Sequence, residues 1–350
     1  MFPSKILIIQ TAFLGDVILA TALIEKLHSF FPKSRIDFVL RKGNESLLIA
    51  HPKLTKLYIW DKTNNKIKNL YKLLQQIKSE KYDLVINLQR FFSSGLLAGF
   101  SGAKSIVGFE NNPLSFLFTQ SYKHKIGNNM HEVARNQQLI ANITDQIAAK
   151  PKLYPSLKHE EKVKIYQTST HLSTNLKSYI CIAPSSVWFT KQYPIDKWAD
   201  LISKLPSQYT IYLLGSPNDN NICNAIIEKV KMPLPYSTIN RIENLCGKLN
   251  LLESAALMRH AAMNYVNDSA PLHLASSVNA PVCAVFCSTV PAFGFTPLSD
   301  ISFVVETDEE LSCRPCGLHG YKKCPQNHFK CADSIKTMNL LAVMKDNDHD

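Results

Sequence analysis

KILIIQTAFLGDVILATALIEKL, residues 5–27, carries the fold in miniature. Its first six residues are a short isoleucine-rich run of the kind buried on both faces of a parallel sheet. Gly15 permits a tight turn, after which Leu19, Ala22, Leu23 and Leu27 recur at helical spacing. A strand that feeds a helix through such a turn is half of a βαβ unit.

The same unit recurs outward from this stretch. RIDFVL (35–40), KLYIW (56–60) and DLVINL (83–88) continue the series. Around residues 146–177 the alternation fails, and Pro151, Pro155 and the polar stretch 167–178 read as a linker. It resumes with YICIAP (179–184), TIYLLG (210–215), MNYVND (263–268) and PVCAVF (281–286). Two doubly wound α/β domains, 1–160 and 161–350, fit this better than one long sheet. A chain of 350 residues is long enough for each to bury its own core. Residues 346–350 form an acidic tail.

Charge is unevenly divided. Residues 1–150 carry 20 Lys and Arg against 10 Asp and Glu, and residues 151–350 carry 19 against 18. Nearly all of the net +11 therefore sits in the first half. That fits either a solvated basic surface or an anionic partner: nucleic acid, a membrane surface or a phosphorylated substrate. No recognisable nucleic-acid module accompanies the charge. The apolar stretch 6–24 is interrupted by Gln10, Gly15 and Asp16, and a central Asp costs about 2.5–3.5 kcal/mol on insertion. The expectation is a cytosolic protein without a signal peptide, compatible with peripheral membrane contact.

Ligands of doubly wound sheets bind beyond the carboxyl ends of the strands, and three post-strand loops hold polar motifs. Asp16 follows the first strand at a helix start, where it serves either as an N-cap or as a general base; the helix N-terminus favours its ionised form. Ser185, Ser186 and Lys191, in SSVWFTKQYP (185–194), make either a phosphate cradle or an ordinary surface loop. Asp268 and Ser269 precede Pro271 and open a helix on which His273 lies one turn further. Capping explains them, and so does a diphosphate at the helix start.

GDVILATALIEKL, SSVWFTKQYP, NDSAPLHLASSVNAPVCAVFCSTVP and CRPCGLHGYKKCP, in this order, resemble the ADP-heptose:lipopolysaccharide heptosyltransferases of glycosyltransferase family 9, especially their heptosyltransferase II-like members. The resemblance implies a GT-B fold, two Rossmann-like domains facing across a cleft. It implies inverting transfer of heptose from ADP-heptose to the lipopolysaccharide inner core, of lipid A–Kdo–heptose type, at the cytosolic face of the inner membrane. No cofactor or catalytic metal is required, and no nucleic acid is a partner. A related transferase using another nucleotide-hexose is the alternative. Asp16 is then the base. Ser185, Ser186, Lys191, Ser269, Ala270 and His273 bind the donor, with Asp268 directed at the heptose. Asp219, in GSPND (215–219), falls near the ribose, and Leu249, in CGKLNL (246–251), near the adenine. Lys42, Arg90, Lys104 and Arg135 are candidates for the anionic acceptor. The chain departs from the family where Ser186 and Ala270 replace common glycines, and it lacks a basic residue near Gln10.

Cys313, Cys316, Cys324 and Cys331 cluster in a loop spanning 313–331, with His319 and His328 nearby. The spacing fits a structural zinc knuckle or a set of reduced structural thiols.

Overall fold

Each strand–turn–helix segment read above takes its place in one of two parallel sheets. A computed structural model describes residues 3–168, 179–231 and 241–345, and the chain divides into two compact units, Met1–Tyr154 and Pro155–Asp350.

The first unit contains β1 (Lys5–Ile9), β2 (Arg35–Arg41), β3 (Lys56–Trp60), β4 (Leu84–Asn87), β5 (Ser105–Phe109) and β6 (Gln120–Tyr122). Their order across the sheet is β3-β2-β1-β4-β5-β6. The helices are α1 (Leu14–Phe30), α2 (Lys66–Glu80), α3 (Phe92–Gly99) and α4 (Glu132–Gln137). Leu7, Ile9, Val39, Trp60, Ile77 and Val85 form one core cluster. Burying each such side chain stabilises by about 1.5–3 kcal/mol before entropy is subtracted.

The second unit contains β7 (Tyr179–Ala183), β8 (Thr210–Leu213), β9 (Ile242–Asn244), β10 (Met263–Asn267), β11 (Val282–Phe286) and β12 (Ser302–Glu306). The order β12-β11-β10-β7-β8-β9 is the same winding as in the first sheet, read from the other edge. Its helices are α5 (Leu157–Thr168), α6 (Ile195–Lys204), α7 (Asn220–Lys231), α8 (Leu251–Arg259), α9 (Ala270–Ser277), α10 (Lys330–Asp333) and α11 (Thr337–Lys345). In each sheet the chain turns back at its fourth strand, so the switch points lie between β1 and β4 and between β7 and β10. Crevices for ligands open there.

The linker expectation is corrected in part. Residues 157–168 form α5, which packs on α8 through Lys162–Glu253 (2.9 Å) and Arg259–Glu160 (2.7 Å), with Val163 fully buried. Residues 169–177 and the acidic tail lie outside the described residues.

Candidate functional site

In the first unit, the β1/β4 switch point is bridged by the amides of two buried glutamines. Gln89 Nε2 donates to Gln10 Oε1, and Gln10 Oε1 also accepts from Ala12 N–H at 3.2 Å. Lys62 Nζ donates to the Thr11 carbonyl at 2.7 Å, and the Arg41 guanidinium lies 4.8 Å from the Phe13 ring. Cations therefore border the turn that leads into α1.

Asp16 is the third residue of α1 rather than its N-cap, which is Phe13. Its carboxyl is pushed up to about 6, by burial first and then by the negative charge of Glu132. The N–H groups of Phe13 and Asp16 and the Arg41 charge pull the other way and lose. The expectation that the helix N-terminus dominates is thus corrected. Desolvation outweighs a helix-end field worth typically 0.3–1 kcal/mol.

Glu132 is a functional candidate that the sequence did not single out. Burial raises its carboxyl, but hydrogen bonds and charge from His124 and Arg135 outweigh this and hold it below the usual range. Arg135 Nε donates to Glu132 Oε2 at 2.8 Å, and Arg135 is 1% exposed. Arg135 is therefore a buried partner of Glu132, not a surface contact for an acceptor. Lys104 immediately precedes β5, on the amino edge of the sheet, and pairs with Asp83 at 2.7 Å; it stands away from the carboxyl ends where ligands bind. Lys42 and Arg90 do follow β2 and β4 at the carboxyl edge. Lys42 pairs with Asp61 at 2.9 Å, and the Arg90 guanidinium lies 5.4 Å from the Phe91 ring.

In the second unit, the loops after β7 and β10 are joined directly. Lys191 Nζ lies 2.7 Å from Asp268 Oδ2, and both side chains are mostly buried. The Thr289 hydroxyl donates to the same oxygen at 2.6 Å. Asn267, fully buried, locks the two loops: it accepts from Tyr193 N–H at 2.9 Å and donates to the Pro184 carbonyl at 2.7 Å. Ser185 and Ser186 remain partly exposed beside them. Ser269 is the N-cap of α9 and makes no side-chain cap bond, so the Ala270 N–H at the first helical position can meet an anion. His273 is 6% exposed within α9, its ring 6.5 Å from that of Phe295.

Asp219 and Leu249 lie in the loops after β8 and β9. Asp219 Oδ2 accepts from Ser216 N–H and Oγ–H, both at 2.7 Å, so this oxygen is committed to its own turn. Leu249 is half-buried. Gly247 N–H donates to the Gly215 carbonyl at 3.0 Å and couples these loops.

The cysteine loop braces the Lys191 loop. Thr190 N–H donates to the Tyr321 carbonyl at 3.1 Å, and Thr190 Oγ1 accepts from Tyr321 N–H at 2.8 Å and from the Ser288 hydroxyl at 3.0 Å. All four cysteines of the loop are free thiols lining a cavity of about 190 Å³. Burial, then the neighbouring thiols, push Cys331 up to about 12. Burial also raises Cys324, but N–H groups from residues 326–329 outweigh it and hold that thiol below the usual range. Among the described residues, no group of three or more His, Cys, Asp or Glu side chains is arranged to hold a metal ion.

Two Rossmann-type units, each with polar loops at its switch point, are the architecture of the GT-B glycosyltransferases. The sequence profile of glycosyltransferase family 9 (heptosyltransferase) matches residues 70–319, and the chain belongs to that family and is a glycosyltransferase. It is 27% identical over 288 residues to lipopolysaccharide heptosyltransferase 3 of Escherichia coli strain K12, covering 80% of this chain and 81% of that one. Its fold matches the E. coli ADP-heptose lps heptosyltransferase II with a TM-score of 0.75 at 21% identity, covering 98% and 99% of the two chains. E. coli heptosyltransferase WaaC, solved with ADP, matches with a TM-score of 0.71 at 17% identity, again over 98% and 99%.

Proposed function

We propose that the protein transfers heptose from ADP-heptose to the inner core of lipopolysaccharide, with inversion at the sugar carbon. The observation that carries the reading is the Lys191–Asp268 contact at 2.7 Å, at the β7/β10 switch point. It supplies a cation and an acid where a bound diphosphate and its sugar would lie. Ser185, Ser186 and the Ala270 N–H supply further donors, Lys191 balances charge on the departing ADP, and Asp268 accepts from sugar hydroxyls. Asp219 and Leu249 hold the nucleoside end, and His273 backs the α9 loop. The reading gives no metal or cofactor a role.

Asp16 takes the proton of the acceptor hydroxyl as the new bond forms. A carboxyl near 6 is a stronger base than an ordinary aspartate and is still mostly ionised at neutral pH. Lys42 and Arg90, at the carboxyl edge of the first sheet, meet acceptor phosphates and carboxylates. The work takes place at the cytosolic face of the inner membrane, a placement supported by α2. Residues 62–78 carry five lysines and no carboxylate, and Ile67 and Tyr71, one turn apart, are 82% and 62% exposed. A basic face with outward apolar side chains suits an anionic bilayer surface. Among the described residues no helix is long and apolar enough to cross a membrane.

A second reading, transfer of a hexose from its nucleotide, rests on Ala270 and Ser186, which stand where the resemblance expects glycine. Incubating the purified enzyme with a panel of nucleotide sugars and a lipid A–Kdo–heptose acceptor separates the two. The expected result is turnover with ADP-heptose and little with ADP-glucose or UDP-sugars. In a deletion strain, mass spectrometry of the lipopolysaccharide should show a core that stops short by heptose; an intact core would overturn the assignment.

A further inference from the structure

Cys223 and Cys246 have no role in the chemistry above. Cys223 is fully buried near the start of α7, and Cys246 is partly exposed in the loop after β9. Their Sγ atoms share a hydrogen bond at 3.2 Å, only about 1.2 Å longer than a disulfide bond.

The surrounding hydrogen bonds hold the two sulfurs in register. Asn244 Oδ1 accepts from Cys246 N–H at 3.0 Å, while Asn244 Nδ2 donates to Asn220 and Asn224 of α7, both at 2.8 Å. The end of β9 is thereby fastened to α7. On its other side, Cys246 abuts the turn that carries Asp219. A methyl group built on Gly215 would lie 2.8 Å from Cys246 Sγ and 2.8 Å from Asp219 Cβ. The sulfur pair thus sits directly under the two loops assigned to the nucleoside.

The two thiols are also unlike one another. The hydrogen bond shared with Cys223 holds Cys246 below the usual thiol range, and the same bond together with burial pushes Cys223 up. A partly exposed, acidic thiol beside a buried one is the arrangement of an attacking and a resolving cysteine.

We propose that Cys223 and Cys246 are a redox modification site, converted by a peroxide-class oxidant to a disulfide that weakens donor binding at its nucleoside end. The Cys246 thiolate attacks one peroxide oxygen, giving a sulfenic acid and a hydroxide that takes up a proton as water. The Cys223 thiol then attacks the Cys246 sulfur, and the sulfenic oxygen leaves as a second water. Two thiols are oxidised to one disulfide and one peroxide is reduced to two waters. Closing the gap displaces the 245–250 loop relative to α7. The Gly247–Gly215 hydrogen bond carries that displacement into the Asp219 turn. The effect on binding rests on the reading that the second unit holds ADP; the thiol chemistry does not.

The test treats the reduced full chain with equimolar hydrogen peroxide. The expected result is an intact mass lower by two hydrogens, a Cys223–Cys246 cross-link in the peptide map, and ADP affinity lower by at least about five-fold in calorimetry. Dithiothreitol should restore all three. Cys246→Ser and Cys223→Ser should bind ADP as the reduced chain does and keep that affinity after peroxide, with Cys246→Ala as a second variant should the serine disturb folding. Oxidation of Cys246 to a sulfinic acid without the cross-link would overturn the proposal, as would a cross-link that leaves ADP affinity unchanged. Failure of the reduced chain to bind ADP at all would instead overturn the donor-site reading, with the mass and peptide map still deciding the fate of the thiols.

Discussion

Lys191 Nζ and Asp268 Oδ2 are 2.7 Å apart, and the Thr289 hydroxyl bonds the same oxygen at 2.6 Å. In the proposed donor site, an incoming diphosphate competes with Asp268 for the ammonium. Lys191→Ala removes the cation and should weaken ADP binding by roughly ten- to a hundred-fold, the range for a lost hydrogen bond to a charged group. Titration calorimetry reads this directly, and an unchanged Kd would take the lysine out of the diphosphate role.

Asp16→Asn should leave ADP affinity within about two-fold while transfer falls by at least ~100-fold, the lower range for loss of a general base. In the wild type, turnover should fall as the pH drops through about 6, where Asp16 takes up its proton. The linked stability runs the other way. Because the folded state raises this carboxyl from 3.8 to about 6, its contribution is full below pH 3.8 and is lost as the pH rises through about 6. Asp16→Asn should accordingly raise Tm at pH 8 and have little effect at pH 4. A stable, fully active variant would end the assignment.

Glu132→Gln keeps a hydrogen-bonding group beside Arg135 but removes a negative charge that raises Asp16. The acid limb of the rate profile should move to lower pH. A limb that stays put would mean that Glu132 only braces Arg135.

Gly320 lies in the left-handed region at φ +78°, and a methyl group there would meet Thr190 Oγ1 at 2.8 Å and Lys191 Cγ at 3.1 Å. Gly320→Ala should destabilise the second unit by about 1–2 kcal/mol through backbone strain and weaken ADP binding by way of Lys191. Normal ADP affinity in a folded variant would show that the cysteine loop does not position the lysine.

Replacing Ile67 and Tyr71 together with serine should reduce co-sedimentation with vesicles containing anionic phospholipid while leaving ADP binding intact. Salt should release the wild type progressively, since screening weakens its lysine contacts. Equal sedimentation of variant and wild type would move the membrane contact away from α2.

Of the eight strands legible in the sequence, all but the edge strand β3 are buried nearly throughout, and such parallel strands read as largely apolar runs, as in Ile6–Ile9 and Val282–Phe286. The strands passed over are mainly edges. β6 (Gln-Ser-Tyr) and β9 (Ile-Glu-Asn) are three residues long and never fully buried, so their side chains need not be apolar. β12 is the outer strand of its sheet, and β5 contains Gly108, where a side chain would strike Phe118. Lys191 and Asp268 were found because each follows a legible strand. Glu132 and Arg135 were not paired in advance because burial, invisible in one sequence, turns two ordinary charged residues into an electrostatic neighbour of Asp16. Burial likewise reverses the direction of the shift expected for Asp16 from its place at a helix start, raising a carboxyl that the helix end alone would lower.

The repeated winding of the two sheets has a consequence for how such an enzyme can diversify. Every group assigned to the nucleotide sugar hangs on the second winding, and the base and the basic groups assigned to the acceptor hang on the first. On those assignments, substitutions that retune the recipient glycan would fall within residues 1–154 and changes of the activated sugar after the Tyr154–Pro155 junction. The two specificities would then be heritable as separate cassettes on one polypeptide.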